Sequence, residues 1–489
     1  MRDWDPSHST EGIRALATRL TTQDASFYFL EASTTPMHVG SLAIFRLPRG
    51  GFSYDELLTL VESRLALVPR YRQKVREVAF GLARPVWVDD RDFDITYHIR
   101  RSALPKPGST EQLHDLVARL TSRPLDRTRP LWEMYLVEGL ARNRFAIFTK
   151  SHSSIVDGDK ALEISQVILD ATKAPTPMAE ELWMPAREPS EKALVAGALA
   201  EMVSRPGEGV EAVRGAVGDV TRAAGEAVRA VGKFAAVVRT AAQTAPTSPL
   251  NTTISRNRRY SVAKTDLDDY RMVRSKFGGT VNDVVLTVVS GALRNWLLSR
   301  GEPIGPYTTV RAMVPLSVHA AATGTGDEGD VPPNEVESFL IDLPVGEPNA
   351  VVRLSHVSHA TEAHLGQSRG VTASTLITLS GFAPATLHAM GARVGSSLSQ
   401  RMFNIIVTNA PGPQFPLYAG GARMLEMYPV PPLVRNQALS IGLTSYDGNV
   451  YYGVNADRAA MPDIDVITTL LHEAIEELVD AARDDKNVR

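Results

Sequence analysis

The most constraining feature of the sequence is an apolar run that leads into a polar heptad and then into a helical pattern. Residues 145–151 have the composition of a buried strand, and the heptad HSSIVDG follows directly at residues 152–158. Apolar residues in 160–169 then recur at helical spacing. Gly158 permits a tight turn without a Cβ, and Asp157 can cap the helix that follows. The order of strand, loop and helix predicts a corner of an α/β layer.

The heptad also contains residue types that are common in general acid–base catalysis. A histidine that titrates near neutrality is the usual acceptor when a weakly acidic hydroxyl loses its proton. His152 is such a residue, and Asp157 can organise the loop around it. Taken alone, the heptad is better explained as a corner without chemistry. Its interpretation therefore depends on the rest of the chain.

Composition excludes several classes of function. The 489 residues exceed one ordinary core, so two or three domains are expected. The formal net charge is -3, so the chain has no excess of basic residues, and no nucleic-acid partner is expected. The chain has no cysteine, which excludes disulfides, thiolate metal ligands and a cysteine nucleophile. The sequence therefore indicates a globular protein without thiol chemistry.

The sequence also suggests a compartment. Residues 1–6 lack the basic segment and apolar core of a signal peptide, and no apolar run approaches the roughly 18 residues of a membrane span. We therefore expect a cytoplasmic protein. Peripheral contact with the inner membrane or with lipid inclusions remains open.

The pattern along the chain predicts two lobes of mixed α/β structure and a linker. Residues 1–180 form the first predicted lobe, residues 181–250 the linker and residues 251–489 the second lobe. The predicted strands are 37–45, 93–99, 145–151, 310–314, 337–343, 404–407 and 450–454, and helical periods fall at 54–67, 110–120 and 464–483. Helices and strands mix without the strict alternation of a doubly wound parallel fold.

The linker contains an amphipathic pattern. Within residues 191–243, small apolar residues recur every three or four positions with charges between them. That spacing predicts a helix, weakened by glycines. It fits a helix packed on one lobe, and it also fits a surface helix that meets lipid.

Six further motifs, in order, extend the resemblance beyond the heptad. They are DASFYFLE with PMHVG at 24–40, PLW at 130–132, TVND at 280–283, NEVESFLIDLP at 334–344, NAPGP at 409–413 and SYDG at 445–448. With the heptad, they resemble the bacterial wax ester synthase/acyl-CoA:diacylglycerol acyltransferase family, a branch of the HHxxxDG acyltransferases. The resemblance covers nearly the whole chain.

This resemblance implies a fold and a reaction. The family has two lobes similar to chloramphenicol acetyltransferase, with a tunnel between them, here joined by a helical linker. Long-chain acyl-CoA and a diacylglycerol or long-chain alcohol are the implied partners, and the products are triacylglycerol or wax ester. Transfer is direct, with no metal and no cofactor, because acyl-CoA is a substrate.

The resemblance also implies site residues. In the family the second residue of the heptad is the histidine base, and here that position is Ser153, beside His152, Asp157 and Gly158. The implied substrate-binding residues are Asn282, Asp283, Asn409, Trp132 and His38. Each also has a structural interpretation: Asp283 as a helix cap, Asn409 as a turn residue, Trp132 as core and His38 as a strand histidine.

Ser153 puts turnover in doubt, since a serine hydroxyl cannot accept the proton at neutral pH. Adjacent residues of a strand point to opposite faces, so His152 is expected to face away from the tunnel. Three outcomes follow: slow transfer that relies on proximity and oxyanion stabilisation, recruitment of another base with His38 as first candidate, or a paralogue that binds acyl-CoA without turnover. A condensation domain that acts on carrier-protein thioesters shares the heptad but not the PLW, ND and NAPGP motifs.

Overall fold

The computed structural model describes residues 18–156, 164–178, 182–204, 245–316, 337–366 and 402–484. The strands in these ranges are β1 (Thr18–Arg19), β2 (His38–Arg46), β3 (Gln73–Arg76), β4 (Val86–Asp89), β5 (Ile99–Ala103), β6 (Trp132–Leu140), β7 (Arg144–His152), β8 (Arg258–Asp266), β9 (Val310–Leu316), β10 (Glu337–Leu343), β11 (Ile405–Pro411), β12 (Tyr418–Ala419), β13 (Ala422–Val430), β14 (Leu439–Tyr446) and β15 (Asn449–Asp457).

The α-helices of the same ranges complete the inventory. They are α1 (Thr22–Leu30), α2 (Tyr54–Arg64), α3 (Ile95–His98), α4 (Thr110–Thr121), α5 (Ser153–Val156), α6 (Ile164–Val167), α7 (Glu191–Ser204), α8 (Leu267–Phe277), α9 (Val281–Ser299), α10 (Ala350–Gly366) and α11 (Ile464–Asp484). Short 3-10 turns lie at Leu65–Leu67, Pro69–Arg72 and Ala79–Gly81. Several helices begin at a side-chain cap, and capping boxes open α2, α4 and α9.

The first lobe is built on a six-stranded sheet in the order β12-β13-β2-β7-β6-β5. Its central pair is β2 with β7, antiparallel from His38 opposite His152 to Arg46 opposite Arg144. Both strands are largely buried and are rich in aromatic and branched residues, which suit a pleated sheet covered by helices. This pairing places the end of β7 beside the start of β2.

The second lobe is built on another six-stranded sheet, β10-β9-β11-β14-β15-β8. In this sheet β11 runs parallel to both β9 and β14, and the other pairs are antiparallel. Helices α9 and α11 contribute many side chains to its core, including Trp296 and Leu471, both fully buried. Each lobe thus has its own apolar core.

Two strands that follow the second-lobe strand β11 in sequence, β12 and β13, lie in the sheet of the first lobe. β13 pairs with β2, and we call it the shared strand because it also contacts the second sheet. Three tyrosines of the second sheet donate their hydroxyls to carbonyls of β13: Tyr446 to Met424 at 3.1 Å, Tyr451 to Leu425 at 3.1 Å and Tyr260 to Pro429 at 3.0 Å.

The close packing of β13 on the second sheet also requires glycine at one position of that sheet. A Cβ on Gly453 would lie 1.7 Å from the carbonyl oxygen of Pro429, so no other residue fits beneath the chain there. The sheets are therefore joined by hydrogen bonds and by close backbone packing.

The prediction of a mixed α/β protein with two lobes is confirmed, with local corrections. The predicted strand at 93–99 is wrong, because Asp94 accepts hydrogen bonds from Thr96 and caps α3, and β5 begins only at Ile99. The domain boundaries at 180 and 250 remain predictions, and they do not anticipate the strand shared between the sheets.

The linker is only partly described. Leu194 and Ala198 of α7 pack against Val78, Val86 and Val88, which fits the interpretation of a helix on one lobe for this portion. Most of the predicted amphipathic pattern lies in residues 205–244, outside the described residues. Within the described ranges, no helix combines the length and the apolar character needed to cross a bilayer.

Candidate active site

The position of the expected base lies where β7 gives way to α5. Ser153 is buried, and both its backbone N–H and its hydroxyl donate to the carbonyl of Met37, at 2.8 and 3.1 Å. Met37 is the residue before β2, so the heptad is pinned to the start of the neighbouring strand. In this arrangement the Ser153 hydroxyl is a hydrogen-bond donor.

His152 and the cavity of the first lobe lie on opposite faces of the sheet. Side chains alternate along a strand, so His152 shares its face with Lys150, whose ammonium donates to the Leu120 carbonyl of α4. The opposite face carries Thr149 and lines a cavity of about 10 Å³, roughly the space of one water molecule. Ser153 follows the last residue of β7 and begins α5, so the alternation of the strand ends at His152.

His152 is held as a neutral imidazole. Its Nδ1 accepts the N–H of Ser154 at 3.1 Å and lies 2.7 Å from the Ser154 hydroxyl. The ring proton therefore resides on Nε2, which is 3.9 Å from Glu31 Oε2. Burial lowers the pKa of His152 to about 3, against the opposing influence of the Glu31 carboxylate. His152 is a poor proton acceptor in this setting.

His38 lies opposite His152 on the same face. Its Nε2 is 3.4 Å from Glu31 Oε1, and the two imidazole rings are 6.3 Å apart. Burial also lowers the pKa of His38. The structure therefore brings the first candidate for a recruited base next to His152, away from the cavity face.

Glu31 completes this cluster. Arg127 donates to Glu31 Oε2 from Nε at 2.9 Å and from Nη2 at 2.6 Å. Burial favours the protonated carboxyl, but His38, His152 and Arg127 outweigh it and lower the pKa of Glu31 to about 2. The cluster is thus one carboxylate between two neutral histidines. Glu31 was not among the predicted site residues, although it ends the DASFYFLE motif, seven residues before His38.

The second-lobe candidates form a separate group. Asn409 on β11 donates from Nδ2 to Asn282 Oδ1 on α9 at 3.1 Å, which joins the ND and NAPGP motifs in space. Asp283 accepts the N–H of Thr280 at 2.8 Å and forms the predicted capping box. Asp283 therefore acts as a cap, and the pairing of Asn282 with Asn409 links the helix to the sheet.

The remaining candidates divide between core and undescribed residues. Trp132 is fully buried, donates to the carbonyl of Tyr71 at 2.8 Å and stacks on His98, which supports its interpretation as core. Asp157 and Gly158 lie outside the described residues. Among the residues that are described, no group of three or more histidines and carboxylates is arranged to hold a metal ion.

Solved structures share this two-sheet architecture. A solved wax ester synthase/diacylglycerol acyltransferase from Marinobacter aquaeolei VT8 matches with a TM-score of 0.66 and 27% identity, over 95% of this chain and 100% of that one. The first condensation domain of the calcium-dependent antibiotic synthetase matches at 0.54 and 13% identity, over 96% of each chain, which shows a shared fold only.

Sequence comparison defines the family. The model described as the wax ester synthase/diacylglycerol acyltransferase catalytic domain matches residues 20–285, and that of the WS/DGAT C-terminal domain matches residues 333–479. The probable diacylglycerol O-acyltransferase tgs1 of Mycobacterium tuberculosis is 33% identical over 94% of this chain and 95% of its own length.

A second relative from Mycobacterium tuberculosis, the probable diacylglycerol O-acyltransferase tgs3, is 56% identical over 263 residues, 54% of this chain and 97% of its own length. The chain belongs to the wax ester synthase/diacylglycerol acyltransferase family and is an acyltransferase by class, as the motifs indicated.

Proposed function

We propose that this chain transfers a long-chain acyl group from acyl-CoA to the hydroxyl of diacylglycerol, with long-chain alcohols as a second class of acceptor. The observation that carries the proposal is the match to a diacylglycerol O-acyltransferase over nearly the full length of both proteins. The products are triacylglycerol and wax ester. In this reaction the hydroxyl oxygen bonds to the acyl carbon, the carbon–sulfur bond breaks, and the hydroxyl proton ends on the CoA sulfur.

Acyl transfer at this site proceeds, in our proposal, without a histidine at the position of the general base. The Ser153 hydroxyl donates to Met37, and His152 faces the Glu31 cluster instead of the cavity. We therefore expect the general-base contribution of ~10²- to 10⁴-fold to be missing. Placement of the two substrates, together with donors to the developing oxyanion, remains as the source of catalysis. Turnover is accordingly slow in this proposal.

The same observation favours a second candidate. A hydroxyl fixed as a donor and two neutral histidines on the far face of the sheet suit a paralogue that binds acyl-CoA in a regulatory or structural role. In that case both lobes would still bind the ligand, because the Asn282–Asn409 pair and the shared strand β13 do not depend on residue 153. The two candidates differ in product, not in binding.

We also propose that the protein is cytoplasmic and works at a lipid surface, either the inner membrane or a lipid inclusion. Diacylglycerol and long-chain alcohols partition into such phases, so an enzyme that acts on them must meet them at the interface. Peripheral binding is testable by flotation with vesicles that contain diacylglycerol.

One experiment separates the candidates. Purified protein is incubated with labelled palmitoyl-CoA and, in parallel, with diacylglycerol, hexadecanol or no acceptor, while a thermal shift with palmitoyl-CoA below its micelle concentration reports binding. Product that requires an acceptor supports the enzyme. Stabilisation without product supports the binding paralogue. If neither product nor stabilisation is observed, both candidates are contradicted.

A further inference from the structure

We infer that Arg258, in the second lobe, is a positioning residue for the heptad of the first lobe, through the segment 31–37 that we call the bracket. The inference rests on the proposed acyl transfer for its kinetic test. It concerns how the lobes cooperate, since Arg258 lies on β8 and the bracket connects α1 with β2.

The guanidinium of Arg258 reaches across the lobe boundary. Its Nη2 donates to the carbonyl of Thr34, within the bracket, and its Nη1 donates to the carbonyl of Ser255 at 2.7 Å. The side chain is 2% exposed. A buried cation is costly unless its donors are satisfied, so the carbonyl of Thr34 is a required partner and not an incidental neighbour.

Arg258 is held in place by neighbouring residues of the second lobe. Asp457 lies 3.8 Å from its guanidinium and accepts the N–H and the hydroxyl of Ser255, each at 2.7 Å. The backbone N–H of Arg258 donates to the hydroxyl of Ser122 at 3.1 Å, just after α4 of the first lobe. Arg258 thus joins the lobes through both its backbone and its side chain.

The bracket transmits this contact to the heptad over a short distance. Thr34 lies in a tight turn closed by reciprocal hydrogen bonds between Ala32 and Thr35, at 3.0 and 3.2 Å. Three residues later, the carbonyl of Met37 accepts both donors of Ser153. A displacement of the Thr34 carbonyl therefore moves the group that positions residue 153.

The bracket is held at its other end from within the first lobe. Arg127 donates hydrogen bonds to the Glu31 carboxylate and to the Tyr28 carbonyl, the latter at 2.9 Å. One arginine from each lobe thus fixes the bracket, and only the one at Thr34 depends on how the lobes are placed. Since a 1 Å misplacement can cost about 10²-fold in rate, Arg258 couples the lobe arrangement to catalysis.

The test compares neighbouring arginines. Arg258→Met removes the contact to Thr34, while Arg259→Met is the matched control, because Arg259 bonds to Pro462 and Asp465 inside the second lobe. Each variant is made in the wild type and in a Ser153→His background, because residue 153 contributes to the rate only when it carries a base. In the Ser153→His background we expect Arg258→Met to lower kcat at least 10-fold with KM for acyl-CoA changed less than 3-fold. Arg258→Lys should recover part of kcat, and Arg259→Met should match its parent protein.

A second readout does not require turnover. The imidazole ¹H–¹⁵N signals of His38 and His152, assigned with His38→Gln and His152→Gln, should shift in Arg258→Met and not in Arg259→Met. If Arg258→Met fails to fold, Arg258→Met/Asp457→Asn removes the unpaired buried carboxylate and is measured instead. An unchanged kcat in Arg258→Met, together with unshifted imidazole signals, would overturn the inference. If the signals shift in Arg258→Met but the wild type has no turnover, the inference is upheld and the proposed function is contradicted.

Discussion

Two clusters of buried polar groups, one in each lobe, are organised in contrasting ways. In the second lobe, three hydroxyls form a chain: Thr265 lies 2.9 Å from the Tyr270 hydroxyl, which lies 2.7 Å from that of Tyr452. In the first lobe, Glu31 and the two histidines lie close together but poorly aligned. Within the described residues, Glu31 Oε1, both nitrogens of His38 and Nε2 of His152 have no hydrogen-bond partner.

This contrast separates structure from function. A neutral chain of hydroxyls satisfies its members and stabilises a core. Buried polar atoms without partners each cost about 1–3 kcal/mol, and native proteins retain them chiefly at functional sites. The unsatisfied cluster lies beside the heptad and the satisfied one lies far from it in sequence. The Glu31 cluster therefore has an energetic cost that the hydroxyl chain does not have, and three predictions test that difference.

The largest expected effect follows removal of the arginine that balances the first cluster. Arg127→Met leaves the Glu31 carboxylate beside two neutral imidazoles, and it should lower the free energy of unfolding by about 1.5–3 kcal/mol, the usual value of a hydrogen bond to a charged group. Urea unfolding at pH 7.5 measures it. Arg129→Met is the control, because Arg129 also lies over a tyrosine ring, that of Tyr97 at 4.0 Å, but its ion pair with Asp126 is long, at 3.9 Å, and lies on the surface. Equal losses in the two variants would refute the special role of the cluster.

The next effect is a dependence of stability on pH. Burial lowers the pKa of His152 to about 3, whereas a histidine in the unfolded chain titrates near 6.5. Between these values the unfolded state binds a proton that the native state does not, so stability is complete above pH 6.5 and falls as pH decreases. Glu31, with a pKa lowered to about 2, stays ionised in this range.

The measurement is the loss of unfolding free energy between pH 7.5 and 5.5. His152→Gln should reduce that loss by about 1 kcal/mol, since each histidine that is kept neutral contributes up to about 1.4 kcal/mol per pH unit. The control is His472→Gln, at a half-exposed position of α11. A loss in His152→Gln that equals the wild-type loss would show that this residue is not kept neutral by the fold.

The smallest dependence of stability on pH is expected in the second cluster. Tyr452→Phe removes one hydroxyl, but the Tyr270 hydroxyl keeps Thr265 as a partner. The loss should be about 0.5–1.5 kcal/mol, the value of a neutral hydrogen bond, and it should be the same at pH 7.5 and 5.5. A strongly pH-dependent loss would show that the two clusters do not differ as described.

Much of the fold could be predicted because periodicity and capping are local. The box at Thr280 and Asp283 and the strand that carries the heptad are present as predicted. The strand expected at 93–99 was wrong because its apolar alternation was read without the cap at Asp94. The strand shared between the lobes could not be predicted, since pairing of β13 with β2 depends on partners hundreds of residues apart.

The candidate site was predicted in part for the same reason. Alternation along β7 predicted that His152 faces away from the tunnel, and this stays a prediction; the structure places His152 beside Glu31, on the sheet face opposite the small cavity of the first lobe. Glu31, Arg127 and Arg258 were missed, because each acts through a contact that the folded chain creates between distant segments. Residue types and spacing contain no signal for such contacts.

The central claim is that residue 153 occupies the position of the base in the family heptad and lacks the group to perform that role. Ser153→His tests it directly in an acyl-transfer assay with palmitoyl-CoA and diacylglycerol, with His152→Ala and His38→Ala as controls. We predict that Ser153→His raises the rate by ~10²-fold or more and that neither control does. A wild type that is already fast, and that His38→Ala or His152→Ala inactivates, would contradict the claim and identify a recruited base.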